Sequence, residues 1–339
     1  MLTLHTKRLR GAGFVASDAG ALPVVTARGI SKTARGLKLR KEKAVHPQHR
    51  ASATLGPGSF APPSSATEAS GGSTRSPEVR AASDYGFSFS AGGLLFPYFL
   101  GVALQLQALG VLRPETPVAG ASAGSIIAVC CKSGLSEEQL VTALLDLAQD
   151  CRTGGTRTRL KFVLRRVLDA ALPPDIHERC EGRSFLAVTR LWPEFAPQTV
   201  SSFRSRREVI ETLLVSCHIP YWFDGSLFTL YKDGIYFDGG ITNFLPGTPT
   251  DVCHRVCCFP SQQLRALPSI SLSPDTFEPW PHDMRTMLGW AFEPAPADML
   301  VGLVEKGKRD ARSWVSRNAP QILIPTAAPA ATDTPLLML

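Results

Sequence analysis

Between two apolar runs the chain reads Gly120-Ala121-Ser122-Ala123-Gly124, and this pentapeptide restricts the possible folds more than any other segment. Gly-x-Ser-x-Gly suits a sharp strand-to-helix turn that lifts a serine hydroxyl clear of the backbone, with glycines where a side chain would clash. The flanks fit that turn. Thr116, Pro117, Val118 and Ala119 read as a short extended segment, and Ser125 to Cys130 as the opening of a helix. Ser122 then sits at a helix N-terminus, where free N–H groups and the helix dipole favour negative charge. A hydroxyl that must become an alkoxide and then an ester gains from that position.

The rest of the pattern predicts alternating strands and helices. Gly86 to Ser90 alternates as a strand with Phe87 and Phe89 on one face, and Ala91-Gly92-Gly93 is a turn. Leu94 to Leu109 is amphipathic, with Pro97 tolerated in the first turn and Gly110 as the stop. Ser136 caps a helix over 137–150. Residues 157–170 form a basic amphipathic helix whose apolar stripe, Leu160, Val163, Leu164, Val167 and Leu168, faces either the core or an anionic lipid surface, the core being favoured. Phe185 to Thr189 reads as a strand and Ser205 to Ser216 as a helix. Ile235 to Phe237 is a strand after a hairpin turn at Lys232-Asp233-Gly234. Arg255 to Phe259 is a buried strand, and Asp298 to Trp314 a late helix. This order implies an α/β fold with three layers, a mainly parallel central sheet and the serine turn between a strand and a helix.

Charge divides the 339-residue chain. The net charge of +7 is made of +9 over residues 1–80 (13 basic, 4 acidic) and therefore −2 over the remainder. The folded part carries no excess for a nucleic-acid partner. Residues 1–82, rich in Ala, Ser, Arg, Gly and Pro, have the composition of a transit peptide followed by a disordered linker, with the chloroplast as the expected destination and the mitochondrion as the alternative. The folded domain is expected over 83–318 and a loose tail over 319–339. No run approaches the roughly 18 apolar residues of a transmembrane helix. Eight cysteines are too sparse for a disulfide scaffold, and Cys253, His254 and Cys257 read as part of a strand rather than as metal ligands.

Three segments recur in an order that resembles the patatin-like phospholipase family. Ser88 to Gly93 with Gly101-Val102 is similar to its oxyanion loop, Gly120 to Gly124 to its nucleophile elbow, and Asp238-Gly239-Gly240 with Asn243 and Pro246 to its Asp-Gly-Gly motif. Ser216-Cys217-His218-Ile219-Pro220 is similar to the segment that precedes the aspartate. The resemblance implies a lipid acyl hydrolase with a Ser–Asp dyad, Ser122 as nucleophile and Asp238 as base. It also implies backbone N–H groups at Gly92 and Gly93, with Ala91 beside them, as the oxyanion hole. It implies no cofactor or metal, and a glycerolipid substrate met at a peripheral membrane or lipid-droplet surface. It leaves the oligomeric state open. Ala91 and Phe96 stand where the family often has glycine, and Phe96-Pro97 is expected to reshape the acyl entrance.

Other readings stay open at this point. A Ser-His-Asp hydrolase would draw on His254 or His282, both after Asp238 in the chain. His218 precedes it and is expected near the rim. A lipid-binding protein without catalysis would keep the fold and the basic helix, and an acyltransferase would use the same dyad with an alcohol in place of water.

Overall fold

The computed structural model describes residues 85–264 and 269–322. The expected transit peptide and linker, and the tail beyond Ile322, lie outside the described residues. The first strand, β1 (Tyr85–Phe89), pairs in parallel with β2 (Val118–Ala121), and β2 in parallel with β3 (Ser184–Trp192). On the other side of β1 lies β7 (Val252–Val256), also parallel. This parallel centre carries antiparallel strands on the β3 flank: β4 (Ala196–Val200) and β6 (Gly234–Asp238) pair with β3, and β5 (Thr229–Tyr231) with β6. The sheet is therefore mixed. β5 and β6 close the hairpin expected at Lys232-Asp233-Gly234.

The helices follow the local signals closely where those signals are strong. Pro97 lies in the first turn of α1 (Phe96–Ala108), after a single 3₁₀ turn at Gly93–Leu95. The elbow leads into α2 (Ala123–Ser133). Ser136 caps α3 (Glu137–Gly154) with a full capping box, its hydroxyl accepting from Gln139 N–H while the Gln139 side chain accepts from Ser136 N–H. The helix over 157–170 is α4 (Leu160–Ala171), and Leu160, Val163, Leu164 and Leu168 are buried, so its stripe faces the core. Ser205 caps α6 (Arg206–Ser216), which follows the short α5 (Ile176–Cys180).

Several boundaries moved for physical reasons. β2 begins at Val118 instead of Thr116, because the Thr116 hydroxyl is used to accept from Arg113 N–H in the preceding turn. β7 ends at Val256; Cys257, Cys258 and Phe259 are buried as expected but lie past the strand. β4 was not expected, since Pro197 interrupts its pattern; Pro is confined to strand edges and irregular positions because it has no N–H to give. Neither were α5 and α7 (Met284–Phe292), α7 lying in a stretch that reads as a Pro/Trp-rich loop. The last helix, α8 (Ala297–Ile322), runs past the expected domain limit at residue 318.

Gly101, quoted above with the oxyanion loop, sits within α1 and serves a different purpose. A Cβ there would lie 1.9 Å from the Val304 carbonyl oxygen of α8, and one at Gly307 would lie 2.2 Å from the Tyr98 oxygen of α1. The two glycines let α1 and α8 cross almost backbone to backbone. Phe87 packs on Trp314 of α8 and Phe89 on Phe99 of α1, so this helix pair covers one face of β1.

Candidate active site

Two strands run toward each other along β3 and stop at neighbouring residues. β2, parallel to β3, ends with Ala121 opposite Ala187; β6, antiparallel to it, ends with Asp238 opposite Val188. Ser122 and Asp238 are thereby delivered to the same point. Ser122 is held at φ 52°, ψ −120°, a left-handed conformation uncommon for a residue with a side chain. Such strain persists only where the surroundings enforce it. Here the Ser122 N–H donates to Ser216 Oγ (3.0 Å), which in turn donates to the Ala187 carbonyl (2.7 Å) and contacts Ser125 Oγ (2.7 Å). The glycines of the turn allow its closeness: a Cβ on Gly120 would meet the Gly124 oxygen at 2.1 Å, and one on Gly124 the Phe89 oxygen at 2.2 Å.

The Asp238 carboxyl is 3% exposed and its two oxygens differ. Oδ1 accepts from Gly240 N–H at 2.7 Å. Oδ2 is buried without a hydrogen-bond partner. Burial pushes the carboxyl pKa up to about 7; the nearby Ser122 hydroxyl and the Gly240 N–H pull it down by less. The serine is close enough to act on the carboxylate, although no hydrogen bond of good geometry joins them. Asp238 is fixed by its backbone too, its N–H donating to the His218 carbonyl at 2.8 Å and its C=O accepting from the Thr189 hydroxyl at 2.8 Å. Gly239 and Gly240 pack against the Ala187 carbonyl and the Ala91 methyl group.

The three residues expected around an oxyanion separate into two groups. The Ala91 N–H donates to the Phe244 carbonyl at 2.9 Å, so it is spent on the fold. This corrects its placement in the expected oxyanion hole. The N–H groups of Gly92 and Gly93 have no acceptor among the described residues. Gly93 lines the same cleft as Ser122. Its φ of +54° and the 2.1 Å that would separate a Cβ from the Ala291 oxygen leave glycine as the only residue that fits.

The cleft at Ser122 is apolar and tight. Leu94, Phe96, Ile126, Leu147, Leu164 and Trp222 are among its walls, and its internal volume is about 30 Å³. A second cavity of about 60 Å³ lies deeper between α2, α3 and α4 and shares Phe96, Ile126, Leu147 and Leu164 with the first. Ile126 and Cys130 stand one and two turns along α2 from the serine, so this apolar path extends about 12 Å from the hydroxyl at 1.5 Å per residue. Phe96 borders both cavities, as its place in the sequence suggested.

Among the described residues, no histidine joins the pair. His218 is fully buried, and neither ring nitrogen has a hydrogen-bond partner; its ring packs edge-on against Phe223 at 5.9 Å. His254 is opposite Phe87 in β7, level with Val118 and so about 13 Å below the serine turn at 3.3 Å per residue. It packs against Trp314 at 4.7 Å. His282 lies between Trp280 (5.2 Å) and Trp290 (4.7 Å). Nothing in the sequence assigns Ser216 this supporting role; its place at the head of the Ser216–Pro220 segment is the one signal that points to it.

A serine strained on a strand–helix turn, beside a buried carboxyl and two free glycine N–H groups, defines an α/β protein of the nucleophile-elbow kind. Residues 87–251 match the family model described as patatin-like phospholipase. Human 1-acylglycerol-3-phosphate O-acyltransferase PNPLA3 is 31% identical over 169 residues, which are 48% of this chain and 35% of that protein. Human patatin-like phospholipase domain-containing protein 4 is 32% identical over 170 residues, 48% of this chain and 66% of that protein. Mouse omega-hydroxyceramide transacylase is 30% identical over 186 residues, 53% of this chain and 31% of that protein. The chain thus spans only part of the length of these relatives. Among the described residues, no helix is long and apolar enough to cross a membrane.

Proposed function

We propose that this chain is a lipid acyl hydrolase that cleaves fatty-acyl esters of glycerolipids through an acyl-enzyme on Ser122. The observation that carries the reading is the buried, unpartnered Asp238 Oδ2 beside the strained serine, at the head of an apolar path. In this mechanism Oδ2 takes the proton as Ser122 Oγ attacks the ester carbonyl. A carboxyl with a pKa near 7 suits a base at neutral pH far better than an ordinary aspartate does. The Gly92 and Gly93 N–H groups hold the oxyanion of the tetrahedral intermediate; donors of this kind contribute about 2.7–4 kcal/mol each. Asp238 then returns the proton to the leaving alcohol, and water attacks the acyl-enzyme to release the fatty acid. The acyl chain lies along α2 toward Cys130. The cleft is too narrow for a chain as it stands, so Leu147 and Leu164 must part to admit one.

Acyl transfer is the second reading, favoured by two relatives whose names specify an acyltransferase and a transacylase. An alcohol then replaces water in the second half. The composition of residues 1–82 supports delivery to a chloroplast, which a fluorescent fusion to those residues tests.

The decisive experiment is hydrolysis of a short-chain p-nitrophenyl ester and of a phospholipid, galactolipid and acylglycerol panel. Ser122→Ala and Asp238→Asn are expected to lose at least about a thousandfold in rate while staying folded, and His254→Ala and His282→Ala to keep most of it. A folded His254→Ala or His282→Ala protein as inactive as Ser122→Ala would replace the dyad by a triad. Product analysis with added lysolipid or glycerol distinguishes transfer from hydrolysis.

A further inference from the structure

Three separate segments surround the mouth of the Ser122 cleft, and each exposes an aromatic ring. The start of α4 is tied to the loop after α6 by Thr158 N–H to the Trp222 carbonyl (2.6 Å) and Lys161 N–H to the Phe223 carbonyl (3.3 Å). That loop is tied to the end of α7 by Trp222 packing on Phe292 at 5.4 Å. Leu160 and Trp222 from this ring line the cleft, and Gly93, also in its wall, abuts Ala291. On the outer side Phe162 is 65% exposed, Tyr221 58% and Phe292 41%. Phe162 is the one large apolar side chain of α4 left exposed, whereas Leu160, Val163, Leu164 and Leu168 are buried. A large aromatic left this open three times around one opening is not explained by the fold.

The α4 part of the rim is basic, while Asp224 and Glu293 stand on the two segments beside it. Residues 156–166 contain five cations and no acid, in a portion of the chain that is net negative over 81–339. Lys161 is paired with Asp224 (2.6 Å), and Arg159 and Arg166 with Asp150 (2.9 and 2.5 Å). Arg157 and Arg165 have no ion-pair partner among the described residues. Exposed aromatic rings beside unpaired guanidinium groups complement a surface of apolar chains beneath anionic headgroups.

We propose that this rim is a docking surface for an anionic phospholipid bilayer, with Phe162, Tyr221 and Phe292 inserting into the interface and Arg157 and Arg165 meeting the headgroups. The inference rests on the lipid-ester reading of Ser122, since docking in this orientation places the cleft mouth at the membrane. Binding itself needs neither Ser122 nor Asp238, so the two ideas fail separately.

The test is co-flotation of the full chain with phosphatidylcholine vesicles, with and without phosphatidylglycerol, for the wild type, Ser122→Ala, Phe162→Ala/Tyr221→Ala and Arg157→Glu/Arg165→Glu. Wild type and Ser122→Ala are expected to bind the phosphatidylglycerol vesicles, less so at high salt. The aromatic pair is expected to lose about tenfold in partitioning, and the charge-reversal pair to lose the preference for phosphatidylglycerol. Both double variants keep wild-type turnover of a water-soluble short-chain ester, which shows that they are folded. Equal binding by the aromatic variant and the wild type would overturn the proposal. So would no vesicle binding by the wild type, or a wild-type dimer that the aromatic variant splits.

Discussion

At the scale of single residues, Asp238 sets a conflict between stability and use. Its carboxyl is buried, one oxygen has no partner, and burial lifts its pKa from the ordinary carboxylate range to about 7. Because the folded value is raised, the protonated form is the one the fold prefers. The associated stability is complete at pH below the unfolded value and is lost as pH rises through about 7. In the proposed mechanism activity runs the opposite way, since only the carboxylate can take the serine proton. The kcat/KM profile for ester hydrolysis is therefore expected to show an acid limb with an apparent pKa near 7. Asp238→Asn keeps the Gly240 hydrogen bond and removes the charge. Its stability is expected to exceed that of the wild type above pH 7, by on the order of a few kcal/mol and with a higher thermal midpoint, and to converge with it below pH 4. Equal midpoints for the two proteins at pH 8 would contradict the raised pKa. The positions of Ser122 and Asp238 stand out in the sequence because each lies within two residues of a pair of glycines, Gly120 and Gly124 for the serine and Gly239 and Gly240 for the aspartate. The fate of the Ala91 N–H does not, since its acceptor, Phe244, is brought to it only by the folded sheet.

At the scale of elements, legibility follows the range of the forces. The start of α3 was readable to the residue, because the Ser136–Gln139 capping box is complete within four residues. β4 and α5 were not, because neither is defined by a pattern of its own; β4 exists through pairing with β3. The serine elbow lies between these cases. Its turn is local, but Ser216 at the end of α6 holds it, reached through β3. Ser216→Ala leaves the buried Ser122 N–H unpaired, a cost of about 1–3 kcal/mol. The variant is expected to melt lower, and to lose kcat more than it gains in KM as the hydroxyl is released from its strained position. An unchanged kcat would mean that the elbow keeps its shape without this support. Gly93→Ala acts on the opposite wall. The added methyl must displace the Ala291 carbonyl from α7 or change a φ of +54°, and either shifts the Gly93 N–H. A folded Gly93→Ala protein is expected to lose about a hundredfold in ester hydrolysis, in line with removal of one oxyanion donor; full activity would remove Gly93 from the oxyanion hole.

At the scale of the whole molecule, the segment that matches the family model is smaller than the unit that can fold. The match ends at residue 251, one residue before β7 begins. Everything that the family motifs need on one side of the sheet lies after it. β7 is the outer partner of β1, the strand that leads into Ala91-Gly92-Gly93, and pairs with it along five residues from Tyr85 to Phe89. Beyond β7, Cys257, Cys258 and Phe259 are buried, and Leu300, Leu303, Ala311, Trp314 and Val315 of α8 join the same core. Tyr98 of α1 donates to Asp310, which also accepts from Lys306, so removal of α8 strands a buried hydroxyl as well. At about 1.5–3 kcal/mol for each fully buried large apolar side chain, Phe259, Leu300, Leu303, Trp314 and Val315 together contribute about 10 kcal/mol. That equals the entire net stability of an ordinary domain, about 5–15 kcal/mol. A chain cut after residue 251 is therefore expected to be unfolded or aggregated despite retaining Ser122 and Asp238, whereas one cut after residue 322 keeps a cooperative melt and wild-type ester hydrolysis. Circular dichroism melting of the two truncations decides the matter. A cooperative transition in the shorter chain would show that β7 and α8 are additions to a core that already stands, and would return the whole of the folding information to the residues before them.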